Sequence, residues 1–311
     1  MQIYLPIAEL SLNVFYLAGI GGAVGFLSGL FGVGGGFLLT PLLIFSGIPS
    51  PVAVASVTGQ VVAASTSGAL SYWRRDGIDL HLALYLVLSG IIGAVGGVAT
   101  FAALRSIGQL DLVISLSYVA FLGAVGILML QEAVRALLKQ RRGLVVREKL
   151  PHQHNWVHGL PLRLRFKRSK LYVSVLPVLM IGATIGFFGS LLGIGGGFVL
   201  VPALIYILRV PGSVVIGTSL VQIMAIMAAS TILHAVNSQS VDILLAFCLM
   251  VGGVIGAQFG AAAGQHLKGE QLRALLALLV LAVAIRFAVG LIVAPNDVFS
   301  TSAFNVVGGL A

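Results

Sequence analysis

Three consecutive glycines occur twice in this chain, at positions 34–36 and 195–197, and each run lies inside a long apolar stretch. Because glycine favours bends over continuous helix, each run predicts a break in a helix. Backbone groups at such a break lack helical partners, which a membrane protein tolerates only beside protein or a water-filled cavity. The helix that follows begins with free N–H groups and the positive end of its dipole. The two runs therefore predict a backbone-lined anion site, with a flexible hairpin turn as the simpler alternative.

Polar side chains in later apolar segments are suited to complete such a site. One segment carries Thr58 and Gln60, and another carries Ser219 and Gln222. Amide and hydroxyl groups can donate to the oxygens of an anion, although membrane Ser and Thr also commonly bond between helices. Arg286 lies in the last apolar segment, where an ionisable residue suggests function unless its side chain extends to the membrane surface. The predicted substrate-binding residues are Gly34, Gly35, Gly36, Thr58, Gln60, Gly195, Gly196, Gly197, Ser219, Gln222 and Arg286.

The composition places these residues in a lipid bilayer. Of the 311 residues, 59% are hydrophobic and 9% are charged, whereas soluble domains carry about 25% charged residues. The apolar segments approach the roughly 20 residues that cross a bilayer as helix, which predicts an all-α integral membrane protein. The net charge is +9, but ten of the 18 Lys and Arg residues fall between Lys139 and Lys170. This distribution is typical of a cytoplasmic loop, so nucleic acid is not an expected partner.

Metal ions, cofactors and enzymatic catalysis are not expected. The acidic residues fall at the ends of the apolar segments or between them, and Cys248 is the single cysteine. A metal-cation carrier usually needs a carboxylate within the membrane, so an anionic substrate is favoured. His152, His154 and His158 form a weak metal motif, which a solvated basic loop explains as well. No catalytic constellation is recognisable.

An internal repeat organises the chain. Residues 25–41 match residues 186–202 at ten of seventeen positions, and Gln60 falls opposite Gln222 after a shift of one residue. The predicted units are a first membrane repeat (1–138), a basic loop (139–170) and a second membrane repeat (171–311). The predicted helical pieces are 11–31, 36–48, 51–73, 80–104 and 109–137, then 171–192, 197–209, 212–236, 240–266 and 270–294.

Two topologies fit these pieces. If the first two pieces of each half form a hairpin that returns to its starting side, the second half is inverted relative to the first. If they form one broken span, the halves are parallel. With the basic loop in the cytoplasm, the hairpin places Arg74, Arg75, Arg209, Lys268 and Arg273 inside and Arg105 outside. The broken span places two of these six residues inside and four outside. The positive-inside rule therefore predicts two inverted repeats, each with a re-entrant Gly-rich hairpin and three transmembrane helices, and both termini on the periplasmic side.

The duplicated G-x-G-G-G-F-x-x-x-P motif, followed by a Ser/Thr-rich helix and an Ile/Val-Asp pair, resembles the TauE/SafE sulfite exporter family. That family is also called the transmembrane sulfite/organosulfonate transporter family. The resemblance implies a secondary carrier in the inner membrane that exports small sulfur-containing anions such as sulfite or sulfoacetate. An anion channel, or a carrier for another small organic anion, is the alternative. Such a carrier can also assemble as a homodimer.

Overall fold

The computed structural model describes residues 2–31, 34–74, 77–141, 163–166, 171–208, 210, 212–264 and 269–292. Within these residues the chain forms ten α-helices and two short antiparallel β-hairpins. The first half contains β1 (Gln2–Leu5), β2 (Leu10–Asn13), α1 (Val14–Phe31), α2 (Gly36–Phe45), α3 (Ser50–Trp73), α4 (Leu80–Ser106) and α5 (Leu110–Arg141). The second half contains β3 (Arg163–Phe166), β4 (Leu171–Ser174), α6 (Val175–Leu192), α7 (Gly197–Tyr206), α8 (Gly212–Leu233), a π-helical turn (His234–Ser238), α9 (Ile243–Gly264) and α10 (Gly269–Ile292).

Each of the ten predicted pieces corresponds to one of the ten helices, but some predicted boundaries are wrong. The pieces expected at 11–31 and 171–192 begin later, because Leu10–Asn13 and Leu171–Ser174 instead pair as strands with Gln2–Leu5 and Arg163–Phe166. Four-residue strands that run directly into an apolar helix leave little periodic signal of their own.

Most of the predicted basic loop, 139–170, lies outside the described residues, and its bounds stay a prediction. Helix α5 continues to Arg141, and β3 begins at Arg163. The three histidines of this loop lie outside the described residues.

Seven helical stretches among the described residues are long and apolar enough to cross a bilayer. They are Ser50–Trp73, Leu80–Ser106, Leu110–Gln131, Val175–Leu192, Val214–Ser238, Ile243–Gly260 and Ala274–Ile292. Helices α1 and α2 are apolar but shorter than this threshold. A rise of 1.5 Å per residue makes about 20 residues sufficient for the hydrocarbon core. The chain is therefore a multi-pass integral membrane protein, as the composition predicted.

Glycine seams hold the two halves together. Helix α1 packs along α9, and α4 packs along α6. A Cβ atom added to Gly25 of α1 would overlap the backbone of Gly253, and one added to Gly93 of α4 would overlap the backbone of Ala183. Small residues allow such close backbone approach, which is how many membrane helices associate. Each seam joins a helix of one half to a helix of the other.

Two aspartates fasten the starts of α4 and α9 to the opposite half. The side chain of Asp79 caps α4, and its backbone N–H donates to the Thr218 hydroxyl over 3.1 Å. The side chain of Asp242 caps α9, and its backbone N–H donates to the Ser56 hydroxyl over 2.9 Å. An aspartate at this position satisfies backbone N–H groups that the helix leaves free. Each half therefore donates one such hydrogen bond to a hydroxyl of the other half, and the two cross-links are reciprocal.

Candidate functional site

The two glycine runs break the helices where the sequence predicts. Gly34 and Gly35 have φ angles of +86° and +73°, and Gly195 and Gly196 have φ angles of +71° and +75°. L-residues with a side chain rarely adopt this left-handed conformation. Gly35 is the N-cap of α2 and Gly196 is the N-cap of α7. We call Gly34 with Gly35 the first tip, and Gly195 with Gly196 the second tip.

Both tips lie against the same two side chains in the middle of α3 and α8. A Cβ atom on Gly34 would lie 3.7 Å from Val61 Cγ1 and 3.6 Å from Ile223 Cγ2. One on Gly195 would lie 2.9 Å from Val61 Cγ1 and 3.6 Å from Ile223 Cγ2. These two side chains belong to the residues that directly follow the two predicted glutamines. The structure therefore brings the tips and the glutamine-bearing segments to one place.

The hairpins that carry the tips also touch each other. The Thr40 hydroxyl donates a hydrogen bond of 3.2 Å to the carbonyl oxygen of Gly193. The rings of Phe37 and Phe198 have centroids 5.0 Å apart. A Cβ atom on Gly36 would lie 2.6 Å from the same Gly193 oxygen, so a side chain does not fit there.

The free backbone donors that the sequence predicts are partly used within the turn. The N–H of Gly36 donates to the carbonyl oxygen of Gly34 over 3.0 Å. Gly197 is the buried first residue of α7, directly after the second tip.

Gln60 and Gln222 are the most unusual polar residues of this region. Both are fully buried, at 0% exposure. Neither the oxygen nor the nitrogen of either side-chain amide has a hydrogen-bond partner among the described residues. Buried polar groups almost always have partners, and each one left without costs about 1–3 kcal/mol. Four such atoms, on the residues that directly precede the two packed against the tips, are typical of a place that receives a polar ligand or water.

Ser65 belongs to the same place, although the sequence analysis did not select it. Its hydroxyl is fully buried, has no partner within the part of the chain that the structure describes, and lies 3.6 Å from the Cβ position of Gly34. A lone serine in a Ser/Thr-rich helix carries no signal that distinguishes it from its neighbours. We call the two tips, Ser65 and the two glutamines the central site.

Two other predicted residues already have partners. The Thr58 hydroxyl donates to the carbonyl oxygen of Ala55 over 2.6 Å and accepts from the Thr231 hydroxyl over 2.8 Å. The Ser219 hydroxyl donates to the carbonyl oxygen of Ile216 over 2.9 Å. Both hydroxyls lie within one turn of a central-site glutamine, and their role in binding stays a prediction.

Arg286 is placed on the exposed side of α10. The carbon at the centre of its guanidinium group lies 5.0 Å from the centroid of the Phe45 ring, at the end of α2. A cation over an aromatic face at this distance is an attractive contact. The structure thus gives Arg286 a packing partner at the contact between α10 and α2, and its expected role in binding stays a prediction.

These features define a multi-pass membrane protein with a buried polar site between its two halves. A family model described as sulfite exporter TauE/SafE matches residues 17–287, which is most of the chain. The chain belongs to this family of membrane transporters, as its motifs indicated. The expectation of a transporter rather than an enzyme is confirmed.

Similar proteins from bacteria and plants agree with this assignment. A "probable membrane transporter protein" of Xylella fastidiosa (strain 9a5c) is 32% identical over 273 residues, which cover 86% of this chain and 92% of that protein. The "probable membrane transporter protein YjnA" of Bacillus subtilis is 30% identical over 261 residues, covering 83% and 93%. The "sulfite exporter TauE/SafE family protein 3" of Arabidopsis thaliana is 31% identical over 105 residues, covering 33% and 22%. No solved structure matches the chain.

Proposed function

We propose that this chain is a secondary transporter that exports small sulfur-containing anions, such as sulfite or the organosulfonate sulfoacetate, across the inner membrane. The observation that carries the proposal is the central site. There the four amide atoms of two fully buried glutamines have no partner among the described residues, and the residue after each glutamine lies against both glycine tips. The name of the family and that of the Arabidopsis relative point to sulfite as the type of substrate.

Neutral donors suit an anion that must be released again. Each glutamine offers two N–H donors, and α2 and α7 direct the positive ends of their dipoles toward the tips. The Thr58 and Ser219 hydroxyls would orient the substrate after a local rearrangement of their bonds. Such a site holds the oxygens of a sulfite or sulfonate group without a buried lysine.

In this proposal, residues 1–138 and 171–311 are inverted repeats joined by the cytoplasmic loop 139–170. The supporting contacts are reciprocal between the halves. Helix α1 of the first half packs on α9 of the second, and α4 of the first half packs on α6 of the second. The two aspartate cross-links are reciprocal in the same way, since each runs from one half to a hydroxyl of the other. Inverted repeats that meet at a central site permit alternating access. When the two repeats exchange their conformations, a site that was open inward becomes open outward. Both termini then lie on the periplasmic side.

Counterflow in proteoliposomes tests this function. Vesicles loaded with unlabelled sulfoacetate or sulfite and diluted into a trace of the labelled anion should show transient accumulation above the equilibrium level. Acetate and protein-free vesicles are the controls. A channel would only equilibrate the label, so equilibration without an overshoot favours the channel alternative. An absence of flux for every sulfur anion tested contradicts the proposal.

A further inference from the structure

A second set of buried polar atoms without partners lies at the carboxyl end of α8. It consists of His234 Nδ1 and the hydroxyls of Ser190, Ser230 and Ser238, which have no hydrogen-bond partner among the described residues. The first three residues are 0% exposed and Ser238 is 9% exposed. We call these four residues the histidine group. The first half has no histidine at the position that corresponds to His234 in the internal repeat. Tyr72 occupies that position.

The geometry fixes which nitrogen of the imidazole is free. Nε2 lies 3.0 Å from the carbonyl oxygen of Ser190. A carbonyl oxygen only accepts, so Nε2 carries the hydrogen and Nδ1 presents a bare lone pair. The ring of Phe101 meets the imidazole edge-on with centroids 4.7 Å apart, which holds its orientation. Nδ1, which has no partner among the described residues, can therefore accept a proton.

The imidazole of His234 is connected to the second tip through the end of α6. Ser190 lies three residues before Gly193, at the end of the helix that leads into that tip. A Cβ atom on the adjacent Gly189 would lie 3.8 Å from the carbonyl carbon of Gly195. The carbonyl that anchors His234 therefore belongs to the turn that packs directly on the second tip.

The elements that adjoin the histidine carry two charged groups, one on α4 and one in the connector after the π-helical turn. Arg105 of α4 donates to the carbonyl oxygen of Ser238 over 2.5 Å and to the Ser240 hydroxyl over 2.6 Å. Asp242 caps α9 and also accepts from the N–H of Ile7 over 3.1 Å. Helices α6 and α8 contain no charged residue and present only hydroxyls at this end. The π-helical turn begins at His234 itself, and such turns occur frequently at functional sites.

We propose that His234 Nδ1 is a proton-binding site that couples proton binding to anion binding at the central site, an inference that rests on the proposed transport function. A charge on a fully buried imidazole is costly unless an opposite charge accompanies it. An anion held at the second tip supplies that charge. By linkage, a proton on His234 strengthens anion binding by the same factor. The proton comes from water on one side and returns to water on the other, with no other bond made or broken.

Coupling of this kind is compatible with export. Sulfite and sulfoacetate carry two negative charges when fully ionised, so one co-transported proton leaves one negative charge to move. An inside-negative membrane potential then drives outward transport.

The test separates coupling from transport. Vesicles with the membrane potential clamped at zero and a pH one unit lower outside than inside should accumulate labelled sulfoacetate about tenfold at one proton per anion. The His234→Gln variant keeps a donor for the Ser190 carbonyl oxygen. It should retain counterflow at equal pH and saturating sulfoacetate while losing this accumulation. His81→Gln, at an exposed position on α4, is the matched control and should accumulate like the wild type.

Each result decides. Full accumulation by His234→Gln, or wild-type counterflow without a response to the pH gradient, overturns the proton site and leaves the transport function standing. An absence of wild-type counterflow overturns the transport function, and the coupling with it. If His234→Gln does not fold, proton uptake by the wild type is measured instead. Sulfoacetate is added to the purified protein in a weakly buffered detergent solution. A pH dye should report about one proton per anion bound, and no uptake overturns the proposal.

Discussion

The hydroxyl of Thr40 in the first hairpin donates a hydrogen bond to the carbonyl oxygen of Gly193 in the second, over 3.2 Å. This bond links the two hairpins at the point where their tips meet. It also satisfies a carbonyl that Gly193, with φ of +68°, turns out of the helix. If the two halves move against each other in the proposed alternating-access cycle, this bond is one of the contacts that the movement changes.

The change Thr40→Val removes this link with little change in volume. A buried hydrogen bond contributes about 1 kcal/mol, and the Gly193 oxygen would lose a partner. We expect a lower thermal midpoint in detergent and altered counterflow rates. Thr100→Val is the control, since that hydroxyl donates to Gly96 within its own helix over 2.8 Å. Equal thermal midpoints for the two variants would contradict a linking role for Thr40.

The changes Gln60→Leu and Gln222→Leu should separate stability from transport. The four unpartnered amide atoms cost free energy in the absence of ligand, so leucine should leave the thermal midpoint unchanged or raise it. Counterflow of sulfoacetate should fall at least about tenfold, because losing a hydrogen bond to a charged ligand costs about 1.5–3 kcal/mol. Gln258→Leu, at an exposed position on α9, should leave both unaffected. Retained counterflow in both site variants would exclude the glutamines from binding.

The first tip should not tolerate a side chain. Alanine at Gly35 must adopt φ of +73° and would place its Cβ 3.0 Å from Ser28 Cβ. The backbone strain is about 1–2 kcal/mol, and relief of that strain would move the first tip relative to the rest of the central site. We expect Gly35→Ala to lose most counterflow while the protein remains folded. Gly19→Ala is the control, because nothing lies within 4 Å of a Cβ there. Normal counterflow by Gly35→Ala would show that the tip geometry is not needed for transport.

Cysteine labelling tests the inverted topology. In a Cys248→Ser background, Gln239→Cys places a thiol at an exposed position in the connector between α8 and α9. Inverted repeats put this connector on the periplasmic side, whereas parallel repeats put it in the cytoplasm. A membrane-impermeant maleimide added to spheroplasts should therefore label it. Trp73→Cys, exposed at the end of α3, lies inside in both topologies and should react only after lysis. Protection of Gln239→Cys before lysis would favour parallel repeats.

Local sequence was sufficient for the membrane architecture. Ten helices and two helix breaks follow from hydrophobic length and from glycine, which act on the chain within a few residues. It was less informative about Leu10–Asn13 and Leu171–Ser174, where pairing with a second segment decides between strand and helix. The start of α9 at Ile243 rather than 240 follows from capping by Asp242, a side-chain choice that hydropathy does not describe.

The predicted site shows the same division between local and long-range information. The glycine runs and the paired glutamines could be selected because the repeat marks them twice in the sequence. Only the tertiary structure decided that both tips lie against Val61 and Ile223. It also decided that the glutamine amides have no partners among the described residues, whereas the Thr58 hydroxyl has them. Those outcomes depend on which groups distant segments bring within hydrogen-bond range, and that is set by the packing of α3 and α8 between the two hairpins.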